Sequence, residues 1–103
     1  MDDKQLLELA AKAAGDVFVV DAWRGAPSHF ERNGFGWNPL TCSNNAFSLV
    51  LKFGMSVDCS DIPDAVVVFS NSTAAVASEK MVNGDAEAAA RRAIVRVAAG
   101  DFD

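Results

Sequence analysis

A chain of 103 residues that is half hydrophobic and only 22% charged has the size and composition of a single folded domain, not of a disordered tail. Its net charge of −5 works against binding nucleic acid, which needs clustered Lys and Arg. Its longest apolar runs are too short to span a bilayer.

The first element is a helix over Asp2 to Ala14. Asp2 with Gln5 three residues on forms a capping-box pattern, and Leu6, Leu9, Ala10 and Ala13 fall on one face at helical spacing. Gly15 is the stop. Asp16 to Trp23 (D-V-F-V-V-D-A-W) reads as a strand, and its nearly unbroken apolar run predicts cover on both faces. Arg24-Gly25-Ala26-Pro27-Ser28 is a loop. Asn33-Gly34 between His29–Arg32 and Phe35–Trp37 predicts a hairpin, because a type I′ turn needs positive φ at both central residues. Pro39 keeps Asn38 extended. Ser43 then caps a second helix to Phe53 with Ala46, Leu49, Val50 and Phe53 as its stripe and Gly54 as its stop. Met55 to Val57 is a short strand and Asp58 to Asp64 a polar loop. Ala65 to Ser70 is a second buried, central strand. Thr73 to Met81 reads as a weaker strand, with a helix as the alternative because it is Ala-rich. Asn83-Gly84-Asp85 breaks the chain, and Asp85 caps a last helix through Ala99 that Gly100 ends. Its stripe is Ala86, Ala89, Ala90, Ala93, Ile94 and Val97. The expected core is Leu6, Leu9, Val17, Val19, Leu49, Phe53, Val67, Phe69, Ile94 and Val97. The fold class is therefore α+β: a mixed, mainly antiparallel sheet sandwiched or covered by three helices in α/β/α layers, as one domain over residues 1–103.

Few residues suggest chemistry. His29, the only histidine, stands beside Ser28 and near Glu31, where a general base is conceivable, but a loop or strand-edge position explains it as well. Asp58, Asp61 and Asp64 lack the oxygen density, turn glycine and closing Glu of a Ca²⁺ loop. Gly34-Phe35-Gly36 is no phosphate fingerprint, since no helix follows it directly. Cys42 and Cys59 have neither C-x-x-C spacing nor a histidine motif. Spacing leaves a disulfide open, and the composition favours two reduced thiols. The start, Met1-Asp2-Asp3-Lys4-Gln5, has neither the basic residues nor the apolar stretch of a signal peptide, so a cytoplasmic location is expected. No catalytic residue, metal ligand or cofactor site is assigned. Arg91, Arg92 and Arg96 read as a solvated helix face that complements the helix dipole. The densest concentration of interface-type residues is the loop and hairpin with Trp23, Arg24, Phe30, Arg32 and Phe35, the residue types that anchor protein contacts. On the plainer reading, Trp23 and Trp37 are plugs that close one end of the core, as large aromatics usually do in small domains.

Three segments carry a resemblance: the start Lys4-Gln5-Leu6-Leu7-Glu8-Leu9-Ala10-Ala11-Lys12-Ala13-Ala14-Gly15, then Trp37-Asn38-Pro39-Leu40 with the helix ending Lys52-Phe53-Gly54, then Ala90-Arg91-Arg92-Ala93-Ile94-Val95-Arg96. In this order they resemble the small bacteriophage proteins of the phage ABA sandwich domain family, over about a third to a half of the chain. The sequence departs from that pattern after Leu40, where an acidic stretch is usual and this chain has Thr41-Cys42-Ser43-Asn44-Asn45. The resemblance implies a phage or prophage product with a sheet between helices, and it supplies no catalytic residues. The function expected is an accessory protein that binds a host or phage protein, inhibition of a host process included. The alternative is an assembly role through self-association as a homodimer, with the alanine-rich last helix packing on its copy. An enzyme, a membrane partner and a nucleic-acid partner are all disfavoured.

Overall fold

The computed structural model describes residues 2–13, 30–32, 35–59, 63–71 and 75–101. The strand expected over Asp16 to Trp23, the loop after it, and Val17 and Val19 of the expected core lie outside the described residues.

Helix α1 (Asp3–Ala13) starts as its sequence demands. Asp2 Oδ1 accepts from the Gln5 backbone N–H at 2.8 Å, and Gln5 Oε1 accepts from the Asp2 N–H at 3.1 Å. This reciprocal pair satisfies donors that a helix start otherwise leaves unpaired. The buried face is Leu6, Leu7, Ala10 and Ala11, whereas Leu9 is 38% exposed and Ala13 is exposed. The expected face was Leu6, Leu9, Ala10 and Ala13, so the helix is turned by about one residue step. Leu-Leu-Glu-Leu-Ala-Ala supports either face, and packing against the last helix selects the one with Leu7.

Strands β1 (Phe30–Arg32) and β2 (Phe35–Trp37) pair antiparallel, with Phe30 opposite Trp37 and Arg32 opposite Phe35. That register leaves two residues between the strands, as the Asn-Gly signal requires. The chain then turns at Asn38 and Pro39. Asn38 Oδ1 accepts from the Leu40 N–H at 3.0 Å, and the Asn38 carbonyl accepts from the N–H groups of Thr41 and Cys42. Pro39 is fully buried. Asn45 Oδ1 reaches back to accept from the Asn38 N–H at 2.9 Å. Helix α2 (Ser43–Phe53) has Cys42, not Ser43, at its N-cap, and no side chain caps it. The Ser43 hydroxyl is occupied elsewhere, by Arg91. Ala46 and Leu49 are buried, while Val50 and Phe53 are only partly buried against the core. Gly54 ends the helix at φ 62°, with its N–H on the Val50 carbonyl, a conformation that costs glycine least.

Strands β3 (Met55–Asp58), β4 (Ala65–Ser70) and β5 (Val76–Lys80) form an antiparallel sheet in the order β3-β4-β5. β4 is central, as its apolar run implies. Val68 lies opposite both Val57 and Ala77. Val66, Val68 and Ala77 are fully buried, and Val67 and Phe69 only partly so. The expected core named Val67 and Phe69. An unbroken apolar run does not say which face meets the helices, and the even-numbered residues took that place. Val82–Asp85 is a tight turn with Asn83 and Gly84 both at positive φ (53° and 74°) and the Asp85 N–H on the Val82 carbonyl, the geometry of a type I′ turn.

Helix α3 (Ala86–Ala99) follows. Asp85 caps it, its side chain accepting from the Ala88 N–H at 3.0 Å. Gly100 (φ 82°) stops it, and the Asp101 N–H reaches the Arg96 carbonyl, a Schellman-type ending. α3 packs on β4 and β5 and is flanked by α1 and α2. The protein is thus an α+β fold whose sheet packs against helices. Beyond the expected stripe, Val95 and Ala98 are buried. Of the alanines of α3, Ala89, Ala93 and Ala98 are buried inside the molecule, while Ala86 and Ala90 are half-buried.

Leu6→Ala should cost about 2–5 kcal/mol in urea melts, the usual range for a buried Leu, and Leu9→Ala under about 1 kcal/mol. Equal losses would place the buried face of α1 elsewhere.

Candidate functional site

Of the expected contact residues, Phe30, Arg32 and Phe35 sit on the β1–β2 hairpin. Trp23 and Arg24 lie outside the described residues, as do His29 and Asp61. Asp58 ends β3, and Asp64 is a left-handed turn residue (φ 58°). Among the described residues no three His, Cys, Asp or Glu side chains come together as metal ligands. Cys42 and Cys59 are free thiols, the second exposed. No helix is long and apolar enough to cross a membrane among these residues.

The three arginines of α3 are not a solvated face. Arg91 Nε donates to the Leu40 carbonyl at 2.9 Å and its Nη1 to Ser43 Oγ at 3.1 Å, with Glu87 further off at 3.7 Å. Arg92 bonds Asp3 of α1 at 2.7 Å and Glu79 of β5 at 3.1 Å. Arg96 donates to the Ser78 carbonyl at 3.1 Å and lies 3.6 Å from both Glu79 and Asp101. The Arg92 guanidinium is held above its ordinary pKa, first by the hydrogen bond to Asp3 and against the opposing effect of burial. It is therefore charged at any working pH. The departure from a solvated face has a plain cause: α3 is covered on three sides, so its arginines reach across to neighbouring elements instead of out to water.

The described surface feature best suited to a contact lies between α2 and α3. A shallow groove of about 520 Å³ is lined by Ala46, Phe47, Val50, Val57, Ala90 and Ile94, with Ser43, Asn44, Glu87 and Arg91 at its edge. Phe47 is 59% exposed and Val57 41%. Leu51, one turn beyond Phe47 on α2, is 69% exposed. Neither Phe47 nor Leu51 belongs to the stripe that anchors α2. The sequence pointed to the hairpin for the contact, and this surface was missed; the signal that could have found it is two large apolar residues at i and i+4 off the core face of α2. No protein-family model, characterised protein or solved structure matches this chain. A second recess, of about 630 Å³ beside β5 and the start of α3, is lined by Glu79, Asp85 and Arg92. Those groups already hold one another or the helix start, which leaves the apolar groove as the candidate site.

Arg91 fixes the end of that groove by joining α3 to the turn before α2. Arg91→Lys keeps the charge but loses the forked donors. It should lower stability by about 1–2 kcal/mol in denaturant melts. An unchanged midpoint would mean that the bonds to Leu40 and Ser43 contribute nothing.

Proposed function

We propose that this chain is a small accessory protein that acts by binding another protein through the face formed by α2, α3 and β3. The observation that carries the reading is the exposure of Phe47 and Leu51 one helical turn apart, next to an apolar groove. Single exposed apolar residues are ordinary. Several gathered around one concave surface mark contact sites, and an aromatic at the centre is the usual anchor. The resemblance of α1, Trp37-Asn38-Pro39-Leu40 and Ala90 to Arg96 to the phage ABA sandwich family supports a phage- or prophage-encoded product. The target is then a host or phage protein, and blocking a host process is what such docking achieves. The role is binding, not catalysis, and calls for no cofactor.

The hairpin region with Trp23, Arg24, Phe30, Arg32 and Phe35 is the rival surface. Two double variants separate them in pull-downs from host lysate: Phe47→Asp with Leu51→Asp, and Arg24→Ala with Phe30→Ala. The first should stay within about 4 °C of the wild-type melting temperature, as surface changes do, and lose the retained partner. Retention by that folded variant, with loss in the second, would move the contact to the hairpin.

A further inference from the structure

We infer that Asn83, in the turn between β5 and α3, is a site of spontaneous deamidation with water as the co-reactant, and that the isoaspartate it yields loosens the start of α3. Asparagine is chemically labile, most of all before glycine, whose nitrogen can attack the side-chain amide with no side chain of its own in the way. The chain has Asn-Gly twice, and the pair at 33–34 lies outside the described residues.

Asn83 differs from the other described asparagines. Asn38 is followed by Pro39, which has no N–H to attack with, and its Oδ1 accepts from the Leu40 N–H. Asn45 Oδ1 holds the Asn38 N–H and Asn71 Oδ1 the Ser56 hydroxyl. Asn44 lies within helix α2. Among the described residues the Asn83 side chain has no hydrogen-bond partner, and neither has the Gly84 N–H, while the Gly84 carbonyl accepts from the Ala86 N–H at 3.0 Å. Both Asn83 and Gly84 are exposed. Nothing lies within 4 Å of the place where a Cβ on Gly84 would sit, so the turn has room for a new ring. Attack requires the Asn83 backbone to leave its left-handed conformation at φ 53°. One bond closes the turn against that rotation, from the Asp85 N–H to the Val82 carbonyl at 3.0 Å, and exposed turns open at little cost.

In the reaction the Gly84 nitrogen bonds to Asn83 Cγ, the Cγ–Nδ2 bond breaks, and ammonia leaves with the proton that the Gly84 nitrogen gives up. Water then opens the resulting succinimide, its hydroxyl going to a carbonyl carbon and its proton to the freed nitrogen. Opening at Cγ leaves an ordinary aspartate at position 83. Opening at the main-chain carbonyl leaves isoaspartate, in which the main chain runs through the side chain and is longer by one methylene. The turn bond from Asp85 to Val82 then no longer closes. Asp85, whose Oδ1 accepts from the Ala88 N–H at 3.0 Å, is carried off the start of α3.

The test ages the full chain in mildly alkaline buffer, once folded and once in urea, and follows each asparagine by peptide mapping with mass spectrometry. Asn83 should convert before Asn44 or Asn71 in the folded chain, and about as fast there as in urea. An intact Asn83 after either of those has converted, or conversion confined to urea, overturns the inference. The isoaspartate fraction, separated by ion exchange, should melt about 4–8 °C lower, the shift that loss of one helix cap gives in a domain of this size. Asn83→Asp should melt with the fresh wild type, since an aspartate tolerates the left-handed turn. Asn83→Gly keeps the positive φ and removes the amide, so its melting temperature should not fall on ageing. Wild-type melting of the isoaspartate fraction, or an equal fall on ageing in Asn83→Gly, overturns the effect on α3.

Discussion

The structure depends on one constraint: α3 must bury most of its circumference while carrying three guanidinium groups. Of its residues only Glu87 is exposed. Alanines at 89, 93 and 98 let β4, β5, α1 and α2 come close. The arginines run their aliphatic stems along this packed surface and place their charged ends on other elements. Arg91 reaches the turn before α2, Arg92 the first turn of α1 and β5, and Arg96 β5 and Asp101, so that Glu79 of β5 takes both Arg92 and Arg96. A partly buried charge is costly when unpaired and tolerable when bonded. Glu79 and the Leu40 carbonyl are therefore set by the need to hold half-buried arginines, whereas the Arg92–Asp3 pair, with the Asp3 side chain 61% exposed, contributes little.

The same wiring gives a physical role to the three segments singled out in the sequence, Lys4 to Gly15, Trp37 to Leu40 with the helix ending Lys52-Phe53-Gly54, and Ala90 to Arg96. The first supplies α1, the second supplies Asn38-Pro39-Leu40, and the third is the arginine-bearing part of α3. Arg91 joins the third to the second, and Arg92 joins the third helix to Asp3 of α1. Asn38 and Pro39 make the turn that presents the Leu40 carbonyl. These motifs hold the architecture together. A binding surface, by contrast, belongs where the sequence is free of such duties, and Phe47 and Leu51 are free of them.

Local signals were legible because their physics is local. The Asp2–Gln5 box, the glycine stops at 54 and 100, the Asp85 cap and the Asn33-Gly34 register each involve residues a few positions apart. What was not legible depends on tertiary choice. Leu9 against Leu7, and Val67 against Val66, are decisions about which face meets α3, and a chain apolar on both sides does not record them. Ser43 looked like a cap until Arg91, 48 residues away, took its hydroxyl. The arginines looked solvated because nothing in their own helix shows that three sides of it are covered. The groove was missed, although Phe47 and Leu51, an i, i+4 pair left off the α2 stripe, could have drawn attention to that side of the helix. Its other wall, from α3 and β3, comes only with the fold. The hairpin was legible as an element, while its role as a contact surface remains a proposal beside the groove.

If α3 organises the molecule and α2 is the more lightly held wall of the groove, their stabilities must differ. Amide hydrogen exchange reads this directly, because protected amides open with free energies up to that of global unfolding. The backbone amides of Ile94, Val95 and Val97 should exchange slowest of all, at the global rate, while those in the uncapped first turns of α2 exchange through local opening. Exchange of the α3 amides as fast as those of α2 would contradict a central role for α3 and its arginines.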